Sequence, residues 1–236
     1  MPLEYNNDFK AALIIPAFNE DIVIGPMLKA VPQGMYEIVV VSDNGSTDDT
    51  ADIAYAAGAT VVSDAERGYG AACLRAVAAL PDTIGAVVFM QADLSETSEE
   101  AESLLAPIRN GEADLVIGSR TLGHAERGAL LPHQKFGNSV ATVLIRLLFR
   151  HRYTDLGPYR AIRLDTLRAM GMRDRNYGWT VEMQVRALQQ GLRVIETPVR
   201  SHRRLAGVNK VSGNLVASVK AGWKIVTTVL RLFVTG

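Results

Sequence analysis

The chain has one cysteine in 236 residues, Cys73, so it contains no internal disulfide framework. Its four histidines, His124, His133, His151 and His202, show no zinc-ligand spacing with it, and their basic and polar neighbours mark them as solvated surface. Long apolar runs are missing too. The longest uncharged runs within 214–234, Asn214 to Val219 and Ile225 to Leu230, have six residues each, far short of the roughly 18 residues a membrane-spanning helix needs. The N-terminus, "MPLEYNNDFK", is polar and acidic and lacks the apolar core of a secretory signal, so cytoplasmic residence is expected. "GYGAA" (68–72) does not make a dinucleotide fingerprint, because no G-x-G-x-x-G opens a helix there. Trp179 and Trp223 read as core or interface residues, with a headgroup belt also open to Trp, and Met170, Met172 and Met183 read as packing.

Bases are scarce in the first half. Residues 1–118 hold 5 Lys and Arg against 19 Asp and Glu, whereas residues 119–236 hold 20 against 6, so a net charge of zero hides a steep asymmetry. The basic half offers a surface for phosphate groups, anionic lipid or nucleic acid, unless its arginines are there simply as helix formers.

Five short β-branched runs are present: "AALIIP" (11–16), "EIVVVS" (37–42), "ATVVS" (59–63), "GAVVFM" (85–90) and "ADLVIGS" (113–119). Continuous apolar runs of this length fit strands covered on both faces. Helical stretches alternate with them, including "TDDTADIAYAAG", with Thr47 near its start and Gly58 as its stop, and "GYGAACLRAVAAL" (68–80), ending before Pro81. That alternation predicts right-handed βαβ units in a doubly wound α/β layer, whose ligands lie beyond the carboxyl ends of the strands. The second half adds two apolar helices flanked by bases, 138–152 and 214–234. In the latter Lys220, Lys224, Thr228 and Arg231 form one polar stripe. Such a helix lies on a membrane with its apolar side down, or packs on the domain's own core.

The polar residues following the strands are the candidates for chemistry. In "VVVSDNGSTDDT" a strand runs into a tight turn that presents Asp43 and several backbone N–H groups. Asp43 can accept the ring N–H of uracil or guanine while the turn holds ribose; equally, Ser46, Thr47 and Asp48 are good helix caps.

Taken in order, Pro-Ala-Phe-Asn-Glu (16–20), Asp-Asn-Gly-Ser-Thr-Asp (43–48), Arg-Gly-Tyr-Gly-Ala (67–71) and Gln91-Ala92-Asp93 resemble family 2 glycosyltransferases of GT-A fold. "VIGSR" (116–120), "FGN" (136–138), "TDLGPYRAIR" (154–163), "YGWTVEMQ" (177–184) and "RLAGVNKVSG" (204–213) look like the dolichol-phosphate mannose or glucose synthase branch, and the likeness runs over roughly residues 11 to 232. The resemblance implies a Rossmann-like α/β fold: a mostly parallel central sheet with helices on both faces, plus C-terminal amphipathic helices. It implies a nucleotide-sugar half (1–118), an acceptor half of the same domain (119–212) and a C-terminal amphipathic helix (213–236). The implied reaction is inverting transfer of a hexose from GDP-mannose or UDP-glucose to a polyprenyl phosphate (dolichyl or undecaprenyl). It would take place at the cytoplasmic membrane face, with peripheral contact through 138–152 and 214–234 and no nucleic acid partner. A soluble or glycan acceptor, and a non-catalytic nucleotide-sugar binder, are the rival readings.

Residue by residue, the resemblance places Pro16, Phe18, Asn19, Glu20, Asp43, Gly45, Ser46, Gly68, Gln91, Ala92 and Asp93 around the nucleotide sugar. It makes Asp93 the ligand of Mg²⁺ or Mn²⁺, with Gln91 beside it. Arg120, Arg204 and Lys210 become grips for acceptor and donor phosphates, and Asp155 and Glu182 acidic groups on the acceptor side. Asp93, Asp155, Arg120 and Arg204 form the catalytic set. A phosphate acceptor is already largely ionised at neutral pH and needs no strong base. Asp155 therefore reads either as an orienting group or as a buried partner for Arg160 or Arg163.

One position departs from the family. Gln91 stands where the family has Asp, which removes a negative charge from the metal site. Mg²⁺ makes do with one or two carboxylates plus waters and substrate phosphates. The expected consequence is weak binding of Mg²⁺ alone and tight binding with a nucleoside diphosphate. Calorimetry with and without the nucleotide checks this, and equal metal affinities would sink it.

Overall fold

The computed structural model describes residues 9–64, 66–204 and 215–235. Each apolar run of the first half forms a strand whose alternate side chains enter different cores. In β1 (Ala11–Ala17), Ala12 and Ile14 join one hydrophobic cluster, while Leu13 and Ile15 join the other. That is why the run is apolar without alternation. The elements continue as α1 (Asp21–Ala30), β2 (Ile38–Asp43), α2 (Thr50–Ala56), β3 (Thr60–Ser63), α3 (Tyr69–Ala78), β4 (Ala86–Phe89), α4 (Ala101–Arg109) and β5 (Leu115–Ala125). They are followed by α5 (Pro132–Phe149), β6 (Arg160–Arg163), α6 (Leu164–Met170), α7 (Trp179–Gln189), β7 (Val194–Ser201) and α8 (Leu215–Thr235).

The seven strands form one sheet in the order β3-β2-β1-β4-β6-β5-β7. Strands β1, β2, β3 and β4 run parallel, as do β5 and β7, and β6 lies antiparallel between β4 and β5. The chain winds from β1 outward through β2 and β3, then returns to place β4 on the other side of β1. That change of direction opens a crevice at the carboxyl ends of β1 and β4, where open α/β sheets bind ligands. Residue 118 falls inside β5, so the acidic and basic stretches are parts of one continuous sheet.

The charge asymmetry is used within the fold. Among the described residues, six ion pairs join an acid of the first half to a base of the second: Asp82–Arg168, Glu66–Arg175, Asp114–Arg193, Glu100–Arg200, Glu20–Arg204 and Asp93–Arg204. The first four are exposed and stabilise little individually, whereas the two at Arg204 are largely buried. The basic half is therefore more than a store of helix formers.

Several helices depart from their sequence expectations. Helix α2 starts at Thr50, because Ser46 and Thr47 bind Asn19 instead of capping a helix. Helix α5 starts at Pro132, before the expected 138, since proline suits a first helical position and the Gln134 side chain accepts the Leu131 N–H. Of the expected polar stripe on α8, Thr228 is buried and Lys224 turns inward to Asp174 at 3.0 Å, while Arg231 is exposed. Lys210 and the side chain of Lys220 lie outside the described residues. Beside Arg231, α8 exposes four large apolar residues: Trp223, Leu230, Phe233 and Val234. Helix α5, packed beside it through Phe149 and Phe233, likewise exposes Phe136, Val140, Val143 and Leu147, a single stripe at steps of four, three and four. Trp179 is core and Trp223 is 71% exposed. No helix among the described residues is long and apolar enough to cross a membrane.

Asp174 is fully buried beneath Lys224, and its other oxygen accepts the Asn176 and Gly178 N–H groups. Lys224→Ala leaves that carboxylate without its cation and loosens α8. The expected loss is about 1–2 kcal/mol, given the partial exposure of Lys224, or roughly 2–8 °C in Tm for a chain of this size. Thermal unfolding of Lys224→Ala beside Lys224→Met checks it: both should fall alike, because the missing charge is common to them.

Candidate active site

Three loops meet at the crevice. After β1 the chain turns at Asn19, one of three described non-glycine residues with a positive φ, here +51°. A second is Leu94, at +58° in the loop after β4. Two left-handed residues facing one crevice are the local strain that functional loops tend to hold.

The loops after β1 and β2 are tied together through Asn19. Its N–H donates to Ser46 Oγ at 2.9 Å, and its Oδ1 accepts the Thr47 N–H at 2.8 Å. The β1–β2 register sets Ala17 opposite Asp43, so the turn after β2 lies directly beside Phe18 and Asn19. The Asp43 carboxylate accepts the Gly45 and Ser46 N–H groups at 3.2 Å, and a carboxylate has further lone pairs to offer a base. Arg67 reaches the same turn, donating to the Gly45 carbonyl at 3.0 Å while its guanidinium lies 5.1 Å from the centre of the Phe18 ring. Gly68 is brought here too, its N–H donating to Asn44 Oδ1 at 2.7 Å. A Cβ at Gly68 would stand 2.1 Å from the Arg175 carbonyl oxygen, so the protein's own backbone requires it.

The acidic centre follows β4. Asp93 is nearly buried, and its Oδ1 accepts the Ser95 N–H at 3.0 Å and the Ser95 hydroxyl at 2.6 Å. Gln91 Oε1 lies 3.5 Å from that same hydroxyl, so the two candidate metal-ligand side chains converge on one point. Ala92, between them, is core. Across the crevice Arg204 is hydrogen-bonded to Glu20 and stands 3.5 Å from Asp93 Oδ2. Among the described residues no three His, Cys, Asp or Glu side chains form a metal cage. The donors present are hard oxygens, and the guanidinium drawn to Asp93 shows that the crevice attracts positive charge. Both facts fit a divalent cation held jointly by protein and substrate phosphates.

Sequence reasoning missed Glu96. Its Oε2 accepts the Gln91 N–H at 2.7 Å. Burial, with nearby Asp93, pushes its carboxyl up to about 8. Its only sequence signal was its place three residues after Asp93.

A cavity of about 370 Å³ lies between β5 and α5, lined by residues including Arg120, Thr121, Lys135, Asn138, Ser139 and Asp155. Arg120 makes a two-pronged bond to Asp155, Nε to Oδ2 and Nη2 to Oδ1, each at 2.7 Å. Buried Asp155 thus has an arginine partner, the half-buried Arg120, which is neither of those expected. Arg163 pairs with Asp165, and buried Arg160 donates to carbonyl oxygens of Gly157 and Thr180. Burial lowers Arg160 to about 10, so it remains cationic at neutral pH. Glu182 is not brought to this cavity. It is wholly buried, accepting the Arg173 and Asp174 N–H groups and pairing with Arg186, because two backbone donors there need an acceptor.

The model of glycosyl transferase family 2 matches residues 12–174. The chain belongs to that family. It is 37% identical over 222 residues to an uncharacterized glycosyltransferase of Mycobacterium tuberculosis, covering 91% of this chain and 97% of that one. It is 31% identical to the undecaprenyl-phosphate mannosyltransferase of Micrococcus luteus, covering 86% and 88% respectively. Glucosyl-3-phosphoglycerate synthase from Mycobacterium tuberculosis, solved with Mn²⁺, uridine diphosphate and glucosyl-3-phosphoglycerate, superposes with a TM-score of 0.77 at 22% identity, over 97% of this chain and 81% of that one. At that identity the likeness is one of fold. This member of the family is therefore a glycosyltransferase with a mostly parallel α/β sheet.

Glu96 gives the family's loop a pH dependence. Its folded value of about 8 lies above the ordinary 4.5. The neutral acid's contribution is thus fully present below about pH 4.5 and lost as pH rises through about 8. Glu96→Gln stays neutral throughout and can still accept the Gln91 N–H. The difference in Tm between Glu96→Gln and wild type, measured in chelator, should grow in the variant's favour from pH 5 to pH 9, by about 3 °C or more. A constant difference would clear Glu96 of that role.

Proposed function

We propose that this glycosyltransferase moves a hexose, with inversion, from a nucleoside-diphosphate sugar to a polyprenyl phosphate. The observation that carries the reading is the position of the acceptor cavity. Its wall on α5 is polar at Gln134, Lys135, Asn138, Ser139 and Thr142. The next positions around the same helix, Phe136, Val140 and Val143, are apolar and exposed. One helix thus offers a cation, amides and hydroxyls to a phosphate and, on the adjoining part of its circumference, an oily face to a hydrocarbon chain. The named activity of the Micrococcus luteus relative supports the same acceptor class.

In this reading Asp43 and its turn hold base and ribose, and the diphosphate lies in the crevice between Asp93 and Arg204. Asp93 and the Gln91 side-chain carbonyl would hold Mg²⁺ or Mn²⁺, which neutralises charge building on the departing diphosphate. An acceptor phosphate oxygen attacks the anomeric carbon; the bond to the diphosphate breaks and its electron pair leaves with the nucleotide. Arg204 stabilises that leaving charge, and Arg120, held square by Asp155, fixes the attacking phosphate. Asp155 accepts three N–H bonds from Arg120 and moves no proton in this scheme. Helices α5 and α8 rest their exposed apolar residues in the headgroup layer, where the acceptor is anchored.

Two measurements test the reading. Radiolabelled GDP-mannose and UDP-glucose, each with a short polyprenyl phosphate and Mg²⁺ or Mn²⁺, should give label in the organic phase from one donor. That transfer should stop with EDTA and fall at least a hundredfold in Asp93→Ala. Label that passes only to water-soluble products would establish a soluble acceptor instead. Wild type should also co-sediment with anionic vesicles, and Phe136→Glu/Leu147→Glu should weaken this tenfold or more, each change removing about 2 kcal/mol of apolar burial. Lys224 is unsuited to that test, because its substitution also disturbs Asp174. A wild-type protein that never sediments would remove the membrane from the reading.

A further inference from the structure

Sequence placed His202 on solvated surface, but the structure places it between two loops of the active site. Its Nδ1 lies 2.8 Å from Glu126 Oε1 and its Nε2 lies 3.0 Å from Thr97 Oγ1. A carboxylate only accepts, so Nδ1 carries the hydrogen and, in the neutral ring, Nε2 receives the Thr97 hydroxyl. The backbone adds to this. The His202 N–H donates to the Ser95 carbonyl at 2.8 Å, and the Arg203 N–H donates to Glu126 Oε2 at 2.9 Å. Arg203 Nε reaches back to the Arg127 carbonyl at 2.6 Å. Thr97 is itself fixed, its carbonyl accepting the Tyr159 hydroxyl at 2.9 Å.

Residues 202 and 203 are thus braced at once to the loop that carries Asp93 and to the loop that follows β5. The next residue is Arg204, whose guanidinium bridges Glu20 and Asp93. A long, flexible arginine aims well only if its backbone is fixed, and here two of the fixing residues, Ser95 and Thr97, belong to the same loop as the acid it faces.

We infer that His202, through Glu126 and Thr97, is a positioning residue that sets Arg204 against the donor diphosphate. This rests on the proposed donor site. It adds a role for a side chain that touches neither substrate, and it joins the donor loop to the β5–α5 loop at the rim of the acceptor cavity. The clamp acts on the donor: its loss raises the donor KM and leaves the acceptor KM in place.

The test is a double-mutant cycle read by calorimetry, with Mg²⁺ plus GDP and, separately, Mg²⁺ plus UDP as probes. His202→Ala should weaken the nucleotide that binds about tenfold, in line with the loss of outer-shell support at such sites. Arg204→Ala should weaken it at least as much, yet cost no more than about threefold in the His202→Ala background, because the arginine there is no longer aimed. His202→Gln, which can still reach Thr97, should recover part of the loss. Should His202→Ala fail to fold, Glu126→Ala breaks the exposed end of the clamp and enters the same cycle with Arg204→Ala. Equal cost of Arg204→Ala in both backgrounds overturns the inference while leaving the donor site standing. A wild type that binds neither nucleotide overturns the donor site, and the clamp with it.

Discussion

Negative charge gathered at one edge of the sheet is the constraint on which the rest of this structure depends. Asp43 ends β2, and Glu20, Asp93 and Glu96 follow β1 and β4, its parallel neighbours in the sheet, so four acids gather at one end of it. Such a cluster repels itself unless cations are placed within it or protons remain on it. Both solutions are present. Arg204 crosses from the end of β7 to bridge Glu20 and Asp93, and burial keeps the proton on Glu96 up to about pH 8.

The source of those cations explains the composition. The first half of the chain is rich in acids, and the second half supplies paired arginines from α6, the loop after it, β7 and the residues flanking β7. Pairing runs in one direction, first-half acid to second-half base, so the two halves recognise one another as the sheet closes. Arg160 shows the cost of this arrangement. It is buried and lowered to about 10, yet its donors meet carbonyl oxygens just after Asp155, and it thereby shapes the loop from which Asp155 grips Arg120. The cavity between β5 and α5 is shaped in part by a cation that does not line it.

The sequence was legible where one residue type decides the outcome. Five β-branched runs became five strands, because a strand covered on both faces tolerates nothing else. The loops after β1, β2 and β4 were legible because a doubly wound sheet leaves polar residues only there. Strands β6 and β7 were not: "RAIR" is four residues with a charge at each end, and "VIETPVRS" is a partly exposed strand at the sheet's edge with a proline in it. Periodicity gave α8 its two faces but could not say which points inward; a buried Asp174 on another element decided that Lys224 and Thr228 do. His202 was hidden for the same reason. Its partners lie 105 and 76 residues away, and nothing local distinguishes it from a solvated histidine.

Gln91 can now be weighed against its neighbours instead of against a family pattern. An aspartate there would place a third carboxylate within the 91–96 loop, beside Asp93 and against buried Glu96. With glutamine the loop at neutral pH carries chiefly the one charge of Asp93, because Glu96 is still largely protonated. One carboxylate is little to hold a bare divalent ion, but a metal arriving on a nucleoside diphosphate brings its own phosphate ligands and needs few from the protein. Arg204 fits the same logic: a guanidinium resting on Asp93 is displaced more readily by a metal–diphosphate pair, which offers it phosphate oxygens in exchange, than by the metal alone. Glutamine at 91 is therefore consistent with an active site whose charge is balanced for the complex of metal and donor, and it need not mark a site that has lost its chemistry.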